Sequence, residues 1–429
     1  MDSADRRLID RVAVRLLPLL AVCYFVAYLD RVNVSFAALT MNRDLGITSS
    51  QYGLAAGVFF LTYFAFEIPS NLILTRVGAR RWIARIMVTW GLLSAGMALV
   101  TGPRSFVVLR LLLGAAEAGF FPGVIYYLTL WFPAAARARI IGGFMAAIPL
   151  STLIGAPLST ALLTLDGRAG LHGWQWLFII EALPAILLAG VVYRVLPDGP
   201  DDAAWLPPAE RDALRTLLSR DAASGAGGTV TTLRAVFADP RVLALCAIYF
   251  GTAGLIYGVG FFLPLLLANQ GLAPLTIGWM ATIPYGAGVL GAVFWSRRSD
   301  RHRERRWHTI IPLLVAVTGL LLAARATSVA TAVLSLTLVG WGTFATPPVF
   351  WTLPTALLTG TAAAGGIAMI NAIGNLAGFL GPYAMGALRE RTGGYAAGLL
   401  VLASLAAMSA VLAGITVPRS SAARGHAAA

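Results

Sequence analysis

Four residues of this 429-residue sequence place charge inside apolar stretches: Asp30 and Arg31 within Tyr28–Ser35, and Arg110 and Glu117 within 105–130. A central Asp or Arg in a bilayer-spanning segment costs about 2.5 to 3.5 kcal/mol on insertion scales. Such side chains face a protein interior or a watery cavity, and their default reading is functional. Arg110 and Glu117 stand seven residues apart, close to two helical turns, so both project from one face of a helix. Arginine offers a planar fork that fits a carboxylate. A buried carboxyl can take up or release a proton, since burial and a neighbouring cation act on it in opposite directions. The competing reading is a buried salt-bridge cluster that only pins helix packing.

These residues require membrane-spanning elements to hold them. The chain is 58% hydrophobic and 12% charged, with a mean hydropathy of +0.78, whereas soluble domains are about 25% charged. At about 20 apolar residues per span, segments fall near 14–39, 52–75, 82–101, 105–130, 139–164 and 174–196, then 241–268, 275–296, 308–324, 328–352, 362–387 and 395–417. The fold class is all-α and polytopic: twelve transmembrane helices in two pseudo-symmetric sets of six. Residues 1–196 form an N-terminal half, 197–240 a cytoplasmic linker, and 241–429 a C-terminal half with a short tail. In the linker, Pro207–Glu210 opens a short helix, and Thr231–Phe237 forms an amphipathic piece at the membrane surface. The charged stretch before the first span leads into a segment too long for a cleavable signal, so that span serves as its own insertion signal.

The net charge of +13 comes from arginine alone, and its distribution argues for a membrane orientation rather than a nucleic-acid partner. With both termini cytoplasmic, twenty-four arginines lie on that side, six lie on the other, and Arg31 and Arg110 remain within the membrane. The two halves also resemble one another. Short arginine-dense loops, Arg76–Trp82 and Ser299–Trp307, follow the second span of each set, and Gly-Pro breaks recur at Gly155–Pro157 and Gly381-Pro382. Paired halves of this kind place a binding site between them near the midplane.

The loop pattern resembles the conserved loop of the major facilitator superfamily. Arg76, Gly78, Arg80 and Arg81 match it, but Thr75 stands where an acid is expected; the second copy keeps Ser299-Asp300-Arg301. Within that superfamily the chain is similar to the anion:cation symporter family, in its bacterial tartrate, phthalate and hydroxyphenylacetate permease branch. The matching stretches are Tyr28–Ser35, Phe66–Asn71, Arg110–Gly123, Gly173–Phe178 with Glu181 and Pro184, and Asn371–Pro382.

The resemblance implies a secondary active transporter in a bacterial inner membrane, importing a small organic anion with protons by alternating access. Asp30 and Glu117 would carry protons, while Arg31 and Arg110 would pair with them or with substrate, Arg31 foremost. Tyr257, Asn375 and Trp351 would contact substrate from the second half. Glu67, Arg76, Gly78, Arg80, Arg81, Asp300 and Arg301 would gate or brace the helix ends, Glu67 by a salt bridge near Arg76, and Glu181 would be structural. The alternatives are an organic-anion exchanger and a non-transporting membrane sensor on the same fold. No phosphate-binding Gly-x-x-x-x-Gly-Lys pattern, zinc spacing of the four histidines, or hydrolase triad is present, and Cys23 and Cys246 lie in apolar runs. The expectation is therefore a monomer that is not an enzyme, with no cofactor or metal and no nucleic-acid partner, and with the lipid bilayer, protons and an organic anion as its partners.

Overall fold

The computed structural model describes residues 3–225, 239–357 and 360–417, and among these there is helix but no strand. The first half comprises α1 (Ser3–Asp44), α2 (Ser49–Val77), α3 (Ala79–Gly96), α4 (Pro103–Glu117), α5 (Phe120–Thr129), α6 (Ala134–Met145), α7 (Ala147–Leu163) and α8 (Gly173–Val195). After α9 (Pro208–Gly225) come α10 (Pro240–Ala268), α11 (Pro274–His302), α12 (Arg306–Ala323), α13 (Val329–Phe350), α14 (Thr352–Leu357), α15 (Gly360–Thr392) and α16 (Ala396–Thr416). Eleven of the described helical stretches are long and apolar enough to cross a membrane. The twelfth expected span falls on α15, a 33-residue helix that packs along both α2 and α10.

One expected span is broken and another is irregular. The fourth divides into α4 and α5, where Glu117 ends one helix and Gly119 adopts a left-handed φ of 88° before the next. The fifth comprises α6 and α7, but Ala146 between them keeps helical backbone angles and its N–H still donates to the Gly142 carbonyl, so it is a local irregularity within one span. The amphipathic piece expected at Thr231–Phe237 lies outside the described residues. The expected linker helix is α9, whose Glu210 pairs with Arg11 at the start of α1.

The halves meet by an exchange of equivalent helices. The second helix of each packs on the fifth of the other, α2 on α15 and α11 on α7, while α1 lies against α10. Small residues permit the close approach that packing without a hydrophobic driving force requires. A Cβ on Gly57 would lie only 2.7 Å from the Phe379 carbonyl oxygen of α15. Close approaches between the halves gather toward the end away from the arginine-rich loops. There Tyr52 donates to the Phe261 carbonyl at 2.8 Å, and the Ser50 N–H donates to Glu390 at 3.0 Å.

At the arginine-rich end the two loops are tied down differently. Thr75 lacks the expected carboxylate, and Asp198, just after α8, supplies one instead. It accepts from the Arg80 N–H at 2.9 Å and lies 3.5 Å from the Arg80 side chain. Gly78 takes φ 97° beside it, leaving no room for a Cβ against that carboxylate. In the second copy, Asp300 pairs with Arg305 at 2.7 Å, not with Arg301. Arg76, Arg81 and Arg301 form no ion pair among the described residues.

Glu304 closes this second loop by accepting from the Trp307 N–H at 2.8 Å, the His308 N–H at 3.2 Å and the His308 ring at 2.8 Å. Burial pushes its carboxyl up, but these bonds together outweigh burial and hold it below its ordinary value. Glu304→Gln is expected to cost about 1 kcal/mol near neutral pH, the usual worth of an N-terminal cap, read as a lower thermal midpoint in detergent. Because the folded carboxyl is the more acidic, this stabilisation is present above the ordinary glutamate value of 4.5 and lost as pH falls through the folded value. The difference between wild type and variant should accordingly close in acid.

Candidate functional site

Asp30 and Arg31 are neighbours in α1 but point to different partners. Asp30, 2% exposed, turns into the first half, where it accepts from the Trp90 indole at 2.8 Å, the Ser94 hydroxyl at 3.0 Å and the Asn33 amide at 3.3 Å. The expected Asp30–Arg31 pair does not form. Adjacent residues on a helix are rotated about 100° apart, so their side chains diverge. Arg31, 7% exposed, crosses instead to α4 and makes a charged hydrogen bond to Glu117, which is 1% exposed.

The Arg31–Glu117 pair sits in an aromatic sleeve. The Arg31 guanidinium carbon lies 5.7 Å from the Tyr28 ring centroid, 5.4 Å from Phe59 and 5.2 Å from Tyr63, distances at which a ring face attracts a cation. One side of the fork holds Glu117, while the buried Nε–H is left without an acceptor among the described residues. Tyr257 of α10 interacts with this guanidinium from the second half, its ring tilted against Phe60 at a centroid distance of 4.3 Å. Tyr28 and Tyr257 also line a crevice between the halves, with Val32, Tyr285, Thr343 and Phe344 among the other walls.

Arg110 shares the α4 face with Glu117 but does not pair with it. Only 1% exposed, it donates to the Ala55 carbonyl at 3.3 Å and the Ala56 carbonyl at 3.1 Å, both on α2. Its guanidinium lies 4.8 Å from the Phe59 ring. This places Arg110 as a cross-brace between α2 and α4, outside the crevice lining.

The other expected residues are dispersed. Glu67 forms no bridge to Arg76; it accepts from Asn371 at 3.3 Å and Asn375 at 3.4 Å, both on α15. Asn375 therefore holds a carboxylate across the interface between halves. Trp351 packs edge-on to Tyr249 at 4.8 Å, away from the crevice lining. Glu181, 2% exposed, accepts from Ser159 at 2.7 Å. Trp90, Ser94 and Asn33 were not anticipated as partners of Asp30. Asn33 lies at i+3 from Asp30, and Trp90 and Ser94 are at i, i+4 on the third span, so each set shares one helix face, which is the signal present in the sequence. Among the described residues, no group of three or more His, Cys, Asp or Glu is arranged to hold a metal ion.

The sequence profile of the Major Facilitator Superfamily matches residues 20–272 and 245–429. The chain belongs to the major facilitator superfamily. It is 48% identical over 412 residues to an Agrobacterium vitis protein named "Putative tartrate transporter", covering 96% of this chain and 95% of that one. It is 42% identical to the quinolone resistance transporter of Acinetobacter baumannii, covering 93% of this chain and 92% of that one. The fold matches the xylose transporter of E. coli in a partially occluded inward open conformation, with a TM-score of 0.75 at 16% identity, covering 94% and 98% of the two chains. The family match and the relative named a tartrate transporter are consistent with an anion:cation symporter-type branch. The protein is an integral membrane transporter rather than an enzyme.

Breaking one partner of a buried ion pair strands a charge, at a cost of about 3 to 5 kcal/mol, whereas removing both leaves nothing unpaired. Arg31→Met and Glu117→Gln should each lower the thermal midpoint of this transporter in detergent. The double variant should recover most of the loss, giving a coupling in a double-mutant cycle. Simple additivity of the two changes would show that the pair is not energetically real.

Proposed function

We propose that the chain imports a small organic carboxylate with protons, by alternating access between its two halves. In this reading it works as a monomer in the cytoplasmic membrane of a bacterium, with both termini inside. The observation that carries the reading is the Arg31–Glu117 pair: one buried guanidinium, held by a carboxylate, with its Nε–H left without an acceptor among the described residues. The name of the Agrobacterium relative supports a hydroxylated dicarboxylate as one candidate substrate.

The coupling follows from charge conservation in a low-dielectric site. Arg31 needs one anionic partner, since an unpaired buried charge is costly. With Glu117 ionised, that place is taken and an incoming carboxylate meets no free cation. When Glu117 takes up a proton it becomes a weaker partner, and the substrate carboxylate can replace it on the guanidinium fork. For one carboxylate group bound at Arg31, the site then contains one negative charge and one proton more than before, so its net charge is unchanged, and the second carboxylate of a dianion would need a further counter-charge. Proton and anion therefore enter together, and departure of either favours departure of the other. Tyr257 and Tyr285 would meet the rest of the substrate from the second half, and Arg110 would keep α2 and α4 in register throughout.

Purified protein in liposomes should accumulate a labelled hydroxy or aromatic carboxylate when an inward proton gradient is imposed. Uptake that ignores the gradient and requires an internal anion would replace symport by exchange. Within symport, Glu117→Gln should abolish gradient-driven accumulation while sparing counterflow, because the amide mimics the protonated acid permanently. Equal loss of both activities would remove Glu117 from the proton path.

A further inference from the structure

A second buried acid lies behind Asp30, and the coupling scheme above does not use it. Glu181 of α8 and Asp30 of α1 are both 2% exposed, and neither forms an ion pair among the described residues. Asn33 donates to Asp30 at 3.3 Å, α1 packs on α8, and Gly91, next to the Trp90 that binds Asp30, sits against Ala182, next to Glu181. Their surroundings are unequal. Asp30 receives three donors, from Trp90, Ser94 and Asn33. The Glu181 Oε1 receives Ser159 at 2.7 Å, and its Oε2 is buried with no hydrogen-bond partner.

The helices packed on α8 are α1, α3 and α7. Here α3 contributes Trp90 and Ser94, α7 contributes Ser159, and neither brings a cation to the two carboxyls. The charged groups that face them are Glu117 and, bound to it, Arg31. Two carboxylates in one low-dielectric site without a cation cannot both be ionised, the arrangement that makes paired acids share a proton. An ionised oxygen with no donor is far more costly than a neutral carboxyl. The donors therefore decide which acid carries the charge.

We propose that Asp30 and Glu181 form a dyad sharing one proton, with the charge on Asp30 and the proton on Glu181 in this conformation. The chain would then contain a proton store behind the Arg31–Glu117 pair. Transfer of that proton to Asp30 leaves Glu181 ionised, and uptake of another makes both acids neutral, so charge is conserved at each step. The role in transport rests on the proton-coupled reading above; the protonation of Glu181 does not.

Two measurements on the full chain separate these claims. Glu181→Gln preserves side-chain size and can still accept from Ser159, so the fold is expected to survive. The infrared spectrum of the wild-type protein at neutral pH should show the C=O band of a buried, weakly hydrogen-bonded carboxylic acid, and this band should vanish in Glu181→Gln. A band that persists in the variant, or is absent from the wild type, overturns the dyad even if symport holds. In liposomes, Glu181→Gln should reduce gradient-driven accumulation by roughly tenfold, the effect of one unit of proton affinity, with counterflow nearly unchanged. A merely structural Glu181 would lower both activities together, and unchanged accumulation would exclude the proton store. If the wild type fails to accumulate at all, symport falls while the infrared band still tests the dyad.

Discussion

An unpaired charge inside this helical bundle is costly, and the arrangement of the first half follows from that constraint. Its buried charged groups reach three different solutions. Arg110 gives its donors to the Ala55 and Ala56 carbonyls and becomes a brace. Asp30 is wrapped by three neutral donors from α1 and α3. Arg31 and Glu117 neutralise one another between α1 and α4. The last solution alone is exchangeable, because another carboxylate can take the place of Glu117. A buried guanidinium bound to backbone carbonyls has no comparable alternative, and this sets Arg110 apart from Arg31.

The position of Glu117 depends on a break in the helix. Backbone groups released in the middle of a membrane must be satisfied by protein, and here the turn is short. Ala118 N–H still returns to the Gly114 carbonyl, and α5 starts at Phe120. Gly119 is required at the corner, both for its φ of 88° and because a Cβ there would run into Ser70 of α2. Ser70 in turn accepts from the Trp82 indole of α3 at 3.0 Å. The carboxyl that holds Arg31 is thus fixed by contacts to α2, the helix that also touches the second half through Glu67. A helix end at this depth lets one acid be both rigidly placed and close to the moving interface.

Much of this was legible in the sequence. Spans follow from apolar length, and the buried charges stand out against 58% hydrophobic composition. Membership of the superfamily follows from loop and helix motifs that are local in the chain. Pairing was not legible, because it depends on the rotation of each helix about its axis. The apolar runs here contain hydrophobic residues on all sides and leave that rotation undetermined. Asp30 and Arg31 look like partners in sequence and are separated by one helical step. Asp198 replaces the acid missing at Thr75 from more than a hundred residues away, a substitution that no local motif can reveal. The break at Glu117 was hidden for a related reason: Ala118-Gly119 interrupts the helix without interrupting the apolar run.

The division of labour between the halves bears on how the molecule can move. Among the described residues, the ion pairs within the membrane-embedded part lie in the first half and none joins the two halves, so relative motion of the halves need not separate opposite charges. What crosses between halves is weaker and more easily exchanged: long amide bonds from Asn371 and Asn375 to Glu67, ring contacts such as Phe60 with Tyr257, and small-residue packing around Gly57. Interhelical hydrogen bonds in membranes are worth roughly 0.6 kcal/mol on average, so a few of them can be remade at modest cost. Strong electrostatics hold the buried groups of the first half together, while the contacts between halves are of the kind that the proposed alternating access would remake. The Arg31 guanidinium lies where the two regimes meet, bound to Glu117 behind it and facing Tyr257 in front. Under the proposed coupling, a change of its partner from protein to substrate would act directly on the surface between the halves.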